Sequence, residues 1–351
     1  MTSTQFSRIS AIALGLSILG ACLPTTFASS AVTNAIKPLP QDGKMHIYLC
    51  GTGVPVVYMQ YIRKPSCLAV IADDQFLLFD AGEGAIQTIS EMGLPYTRIY
   101  NVFMTHWHSD HFAGLGQVSN VSWTDGRNKP MNVYGPYGVK HVIDSLAAAY
   151  QLDTLFRSIN SADTLDPTLS TPVPHLIDAI AKDQRVYKNH DITITAFEVD
   201  HAPVYPALGY QIQYKGCHVT LSGDTKVIPK ELNEAQNADV FVSEALNVKQ
   251  TMVLANEQKA AGNLTKYQIY QEIPNYHSDT IKLAQLAQQA NVKHLVLTHL
   301  DPPYIPGQKA ENAFIEGMAA YYKGPIIAAK DRDEIVLTPQ ADGSCQFEYR
   351  G

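Results

Sequence analysis

The densest chemistry in the chain lies in one segment, Thr105-His106-Trp107-His108-Ser109-Asp110-His111, where four potential metal ligands fall within six residues. His106 and His108 stand two apart, so an extended turn can aim both imidazoles the same way. Asp110 and His111 follow and can face a second point a few ångströms on. Neutral imidazole and carboxylate are the usual non-thiol ligands of zinc, and manganese or iron fit the same donors. The plain alternative is a chance cluster on a solvated loop.

The elements around this segment must hold it in place. The apolar run Ile99 to Met104 reads as a strand and delivers the chain directly into Thr105-His106. Upstream, His46 to Cys50 reads as a short strand, and Cys67 to Ala72 with Gln75 to Asp80 as a hairpin turning at Asp73-Asp74. Gly84 to Met92 has helical spacing and stops at Gly93. Downstream, Tyr137 to Tyr150 predicts a helix and Ser158 to Pro174 a loop. Strands follow at Ile192 to Val199, Gly209 to Tyr214, Cys217 to Ser222 and Asp239 to Ser243. The remainder reads as a helix from Asp279 to Ala290, a strand from Leu295 to Thr298, a helix near Ala310 to Tyr322, and strands at Glu334 to Leu337 and Cys345 to Tyr349. Strands in both halves, each set followed by helices, predict an α/β fold in which two mixed sheets are sandwiched between helical layers (αββα), built as one domain over residues 45–351.

His-x-His-x-Asp-His after an apolar strand resembles the signature of the metallo-β-lactamase superfamily. Gly51-Thr52-Gly53-Val54-Pro55 and Leu78-Phe79-Asp80-Ala81-Gly82-Glu83-Gly84 resemble the opening motifs of the branch that holds ribonuclease Z and the exported arylsulfatases, and Thr105 to Leu115 resembles its central motif. The resemblance runs from about residue 45 to 338. It implies that His201, in Val199-Asp200-His201, completes a first metal site with His106 and His108. It implies that Asp224, in Leu221-Ser222-Gly223-Asp224-Thr225, bridges both metals, and that His299 joins Asp110, His111 and Asp224 around the second. Two divalent ions, zinc by expectation, would then hold a bridging hydroxide as nucleophile. His277, in Tyr276-His277-Ser278-Asp279, and Glu244, in Ser243-Glu244-Ala245, match the branch's His-Ser-Thr and His-Glu-Ala-Thr motifs and would protonate the leaving group. The chain departs from those motifs at Ser243 and Asp279, so the competing reading is a helix cap at Ser278 or Asp279 with His277 beside it. Asp80 is expected to support a histidine rather than to bind metal.

The resemblance implies hydrolysis of ester bonds and leaves several substrates open. Bacterial ribonuclease Z carries a long arm between the strand-end histidine and the bridging aspartate, whereas here only 22 residues separate His201 from Asp224. Pro130 to Pro136, with Ala149 to Asp153 and Phe156-Arg157, resembles the exported arylsulfatase-like members. A small anionic ester, either an aryl sulfate or a phosphodiester, is therefore the expected substrate. Arg157, Arg63 and Lys64 are candidate anion contacts, with a solvated surface role the preferred reading of each. The alternatives are a lactonase or β-lactamase-type hydrolase, a ribonuclease Z-like transfer-RNA nuclease, and a metal-stabilised binding protein without turnover.

The rest of the composition bounds the setting. Arg8 followed by the apolar run Ile9 to Leu23, with no acid before Asp42, describes a secretory signal over residues 1–28, ending near Thr26-Phe27-Ala28. Leu19-Gly20-Ala21-Cys22 resembles a bacterial lipobox and offers a lipid anchor at Cys22. Residues 29–44 read as a linker, and the expected location is periplasmic or secreted. Removing residues 1–28 loses one Arg and no acid, moving the formal charge from −7 to −8. That charge argues against nucleic acid as the natural ligand. Cys50, Cys67, Cys217 and Cys345 form no Cys-x-x-Cys pair. They either join in one of three pairings or stay as buried thiols.

Overall fold

Along β1 (Met45–Gly51), Met45, Ile47 and Leu49 pack into one apolar layer while Cys50 packs into another. That period-two division, repeated strand after strand, separates the layers of the fold. In this computed structural model the chain is described over residues 38–351, apart from 163 and 181. The expected export signal, the lipidation site at Cys22 and residues 29–37 of the expected linker lie outside the described residues. The rest of that linker is docked, with Leu39 buried in the core and Gln41 Nε2 donating to the Asp73 carbonyl at 2.9 Å.

After β1 the chain forms β2 (Cys67–Ala72), β3 (Gln75–Phe79), β4 (Ile99–Phe103), β5 (Asn132–Gly135) and β6 (Val173–Leu176). It continues with β7 (Gln184–Asn189), β8 (Ile192–His201), β9 (Val204–Tyr214), β10 (Cys217–Leu221), β11 (Val240–Leu246), β12 (Leu295–Asp301) and β13 (Ile326–Ala328), and closes with β14 (Glu334–Pro339) and β15 (Cys345–Arg350). Helices are α1 (Ala85–Glu91), α2 (Ser109–Phe112), α3 (Leu115–Thr124), α4 (Val139–Asn160), α5 (Pro229–Glu234), α6 (Val248–Ala260), α7 (Leu264–Glu272), α8 (Thr280–Gln289) and α9 (Gln308–Phe314). One eight-stranded sheet runs β15-β14-β1-β2-β3-β4-β5-β6, and one seven-stranded sheet runs β13-β12-β11-β10-β9-β8-β7. Both are mixed, parallel in one half and antiparallel in the other.

The inner faces meet in a layer that includes Ile47, Val70, Leu77, Phe103, Ile194, Tyr210, Val219 and Val242. Outside the first sheet, Ile71 and Leu78 pack with Ile86 and Ile89 of α1 and Val118 of α3. Outside the second, Phe241 and Leu297 pack with Leu283, Ala284 and Ala287 of α8 and Phe314 of α9. The αββα sandwich expected from the pattern of elements is the fold observed.

The four cysteines pair as Cys50–Cys67, across β1 and β2, and Cys217–Cys345, which ties β10 in one sheet to β15 in the other. The loop expected over 158–174 is shorter than anticipated, because α4 runs on to Asn160 and β6 begins at Val173. Its Ser, Asp and Thr residues act locally, as where Asp166 accepts from Thr168 N in a short capped turn.

A histidine and aspartate centre between the sheet ends

The donors arrive on different elements whose ends meet at one edge of the sandwich. β4 ends at Phe103, and His106 and His108 follow in the extended connection before α2, which carries Asp110 and His111. His201 closes β8 at a register shift between Val199 and His201. His299 sits in β12 where the register with β11 also shifts, so that Glu244 opposes Thr298 and Ala245 opposes Leu300. Its φ is +44°. A bulge of this kind re-aims one side chain out of an otherwise regular strand, and left-handed backbone at a non-glycine residue recurs at functional sites. Asp224 follows Gly223, whose φ is +62° and where an added Cβ would lie 2.4 Å from the Leu208 carbonyl oxygen. Only glycine fits that approach.

Asp224 is the hub. Its Oδ2 lies 3.2 Å from His111 Nε2, 3.4 Å from His299 Nε2, 3.8 Å from His201 Nε2 and 3.9 Å from His106 Nε2. Donor atoms of His106, His108, His201 and Asp224 lie within 4.8 Å of one another, as do those of Asp110, His111 and His299. All seven residues expected to ligate metal are thus brought together in two adjoining groups. All are buried except His108, which is exposed.

The far side of several rings is fixed by hydrogen bonds that set which nitrogen faces the centre. His111 Nδ1 donates to Asp80 at 2.7 Å, and His201 Nδ1 donates to the Tyr276 carbonyl at 2.9 Å. Asp80 also accepts from Thr105 N at 2.8 Å and from the Thr105 hydroxyl at 2.9 Å, and that hydroxyl sits 3.0 Å from His106 Nδ1. Asp80 therefore stands behind His111, as expected. Sequence reading passed over Thr105, whose position beside His106 was the available signal, and Tyr276, which acts through its backbone and leaves no signal.

This donor set suits divalent cations. His106 Nε2, His111 Nε2 and His299 Nδ1 are buried without a hydrogen-bond partner. Leaving such a group unpaired costs about 1–3 kcal/mol. Two of these nitrogens, on His106 and His111, face Asp224 at the centre. Burial holds the His106 imidazole below the ordinary histidine range, and partial desolvation of the His108 ring, with His201 beside it, does the same to a residue that is otherwise exposed. Burial opposes charge on His299 too, but Asp224 and the hydrogen bond to Asp110 outweigh it and lift the ring to about 9. His111 is raised for a similar reason, with Asp224, Asp80 and Asp110 around it.

His277 and Glu244 also meet. His277 Nδ1 lies 2.8 Å from Glu244 Oε1, and Thr225 N donates to the same oxygen at 2.7 Å. One ring nitrogen of His277 lies within 4.8 Å of donor atoms of Asp224 and His299. Burial raises the Glu244 carboxyl and lowers His277 to about 4. The cap of the competing reading forms as well: Asp279, one of its two candidates, accepts from Ile281 N and Lys282 N at the start of α8.

The two candidate arginines are engaged within the fold. Arg63 is buried and donates to Thr52 Oγ1 and the Ala329 carbonyl, and Arg157 pairs with Asp153 on α4. Lys64 packs its stem over Gly84. A cleft of about 530 Å³ has His201, Val199, Val204, Tyr205 and Lys230 in its walls.

An αββα sandwich with paired histidine and aspartate donors at its edge defines a metallohydrolase. A beta-lactamase superfamily domain matches residues 76–300, and the chain belongs to that superfamily. It is 30% identical over 268 residues to a ribonuclease Z of Mycolicibacterium gilvum, covering 76% of this chain and 87% of the relative. A ribonuclease Z of Mycobacterium bovis is 29% identical over 299 residues, with 84% and 99% covered. Among solved structures, the metallo-beta-lactamase fold protein YhfI of Bacillus subtilis superposes with a TM-score of 0.61 at 16% identity, covering 84% of this chain and 99% of that one. Human tRNase Z, short form, gives 0.55 at 20% identity, with 84% and 98% covered. Both likenesses are of fold.

Proposed function

We propose that this hydrolase cleaves phosphodiester bonds in small anionic substrates, with His106, His108, His201 and Asp224 holding one divalent ion and Asp110, His111, His299 and Asp224 a second. Zinc is the proposed ion, on the strength of the imidazole and carboxylate donors. Bound there, such ions supply Lewis acidity and a deprotonated water at neutral pH. Asp80, Thr105 and the Tyr276 carbonyl hold the imidazoles in the tautomer that presents Nε2 to the centre. The observation that carries the reading is the His277–Glu244 contact at 2.8 Å beside Asp224 and His299. With Glu244 raised and His277 lowered, the proton rests on the carboxyl, and the imidazole can relay it through its other ring nitrogen to a departing alkoxide, a step that poor leaving groups require.

Phosphodiester is preferred to sulfate ester because the relatives are ribonuclease Z enzymes, and their likeness favours the nuclease reading over the aryl-ester reading. Small size is supported by two features. The cleft beside His201 is of small-ligand dimensions. β8, β9 and β10 are joined through Ala202-Pro203 and Lys215-Gly216 alone, which leaves no room for a long arm between His201 and Asp224. Processing of transfer-RNA 3′ ends is the second reading, carried by the 30% identity to ribonuclease Z. An extracytoplasmic setting is proposed as well, from the apolar N-terminal segment and the two disulfides.

The test is a substrate panel: bis-p-nitrophenyl phosphate, p-nitrophenyl sulfate, p-nitrophenyl phosphate, cyclic AMP, a homoserine lactone and a precursor transfer RNA with a 3′ trailer. The phosphodiesters should be turned over fastest. Turnover of the lactone alone would overturn the proposal, and preferential trimming of the trailer would replace it with the nuclease reading.

A further inference from the structure

The connection that leaves β1, from Gly53 to Ile62, reads Gly-Val-Pro-Val-Val-Tyr-Met-Gln-Tyr-Ile and holds no charged residue. Val54 and Met59 tether it to the fold, while Val57, Tyr58 and Tyr61 stand in solvent, Tyr58 at 72% exposure. Its root is fixed beside the donor centre. Leu300 N, next to His299, donates to the Thr52 carbonyl at 3.0 Å. The Arg63 guanidinium lies 4.7 Å from the Tyr304 ring centre, and its Nε donates to the Tyr304 carbonyl at 3.3 Å. Ile305, the next residue, is again exposed, at 65%. Large apolar side chains left together in water mark a binding surface.

The opposite wall is α7 and the turn after it. Tyr270 is half-buried, and burial raises its phenol, with Asp301 and Tyr58 adding to the shift, so α7 comes up to the loop at Tyr58. Further along, the Tyr276 ring stands 5.4 Å from the His201 ring and 4.9 Å from that of His277, centre to centre. The two walls flank the donors, one rooted at His299 and the other running into His277.

We propose, on the phosphodiester reading above, that these walls seat an apolar arm, an alkyl or acyl chain, carried on one ester oxygen, which makes the natural substrate an amphiphilic phosphodiester. A phosphodiester at the donor centre must send both substituents outward, and these walls stand on one of the ways out. Their chemistry selects what can pass. A polynucleotide would carry further phosphates between them and needs basic side chains to hold those phosphates. The loop has none, Pro302 to Pro306 has none, and on α7 Lys266 is offset by Glu272. A nucleobase brings hydrogen-bonding edges that Val57 and Ile305 cannot answer, and burying them unpaired is costly. A hydrocarbon chain loses only its contact with water, which favours binding.

Calorimetry on the zinc-loaded full chain with methyl-, butyl- and hexylphosphonate reads the walls without turnover. Each fully buried methylene is worth about fourfold in affinity, so Kd should fall by about tenfold or more from methyl to butyl. The double variant Tyr58→Ser/Tyr270→Ser should reduce that ratio to about threefold or less, whereas Leu152→Ser, a comparably exposed apolar residue on α4, should leave it as it is. A Kd independent of chain length, or a ratio that drops as far in Leu152→Ser, would overturn the proposal. So would a flat Kd series accompanied by Tyr58-dependent co-sedimentation with phosphatidylglycerol vesicles, which would give the walls to a lipid surface. Turnover of methyl and hexyl p-nitrophenyl phosphate separates the two readings. If neither is cleaved while the phosphonates keep their length dependence, the phosphodiester reading fails and the apolar walls stand. If both are cleaved alike and the phosphonate series is flat, the walls fail and the phosphodiester reading stands.

Discussion

The two halves of the donor centre are built differently. His106, His108 and His201 form a half braced by neutral groups, a threonine hydroxyl behind His106 and a backbone carbonyl behind His201, and His108 is open to solvent. Asp110, His111 and His299 form a half that is wholly buried and rich in carboxylate, since Asp110 is itself a donor and Asp80 stands behind His111. Asp224 serves both. A carboxylate behind an imidazole raises its basicity, so the second half should grip a cation harder than the first. The unequal grip follows from charge and burial, since each half counts a similar number of donors.

Removing the shared residue should erase the difference and have the largest effect. Asp224→Ala should lower metal content in both halves and cut turnover about 10³-fold or more, the equivalent of several kcal/mol of lost Lewis-acid stabilisation. Mass-spectrometric metal counts near two per chain, with turnover intact, would refute the hub role. Next in size is His277→Ala, which should leave metal content alone and slow phosphodiesters with alkyl leaving groups about 10²-fold. Esters of p-nitrophenol, whose leaving group needs no proton, should be nearly unaffected, and equal slowing of both classes would remove His277 from proton transfer. Asp80→Asn sharpens the comparison further. It should weaken binding in the second half about 10- to 100-fold and affect the first less, since Asp80 reaches His106 only through Thr105. Loss of both ions together would mean that the halves do not act separately.

How much of this was legible in the sequence follows from how local each feature is. The His106 to His111 cluster declares itself because its four donors share one connection after one strand. His201, Asp224 and His299 are each an ordinary residue at a strand end or turn, and only the ordered motifs of a superfamily single them out. The bulge that turns His299 inward has no sequence mark, because its left-handed φ falls on a non-glycine residue. β6 and β7 escaped detection because both are half-exposed and lack alternation. The hairpin of α6 and α7 escaped for a related reason. Between them these helices bury only Thr251 and Ala255, so no apolar stripe betrays their period. Buried layers and clustered donors write themselves into sequence, whereas polar elements held by their neighbours do not.

The difference between the halves can also be read by stepwise removal of metal from the native chain. Dialysis against graded chelator should release one ion before the other, with an affinity gap on the order of tenfold, or about 1.4 kcal/mol. The first ion to leave should come from the half that contains His108, because that ring is exposed and its companions are braced by neutral partners. Chemical modification can locate the vacancy: at one remaining ion per chain, diethylpyrocarbonate should label His108 and leave His299, buried at 4% exposure, untouched. If both ions left in a single step, the carboxylate behind His111 would add nothing to the grip of its half, and the centre would have to be treated as one unit held at Asp224.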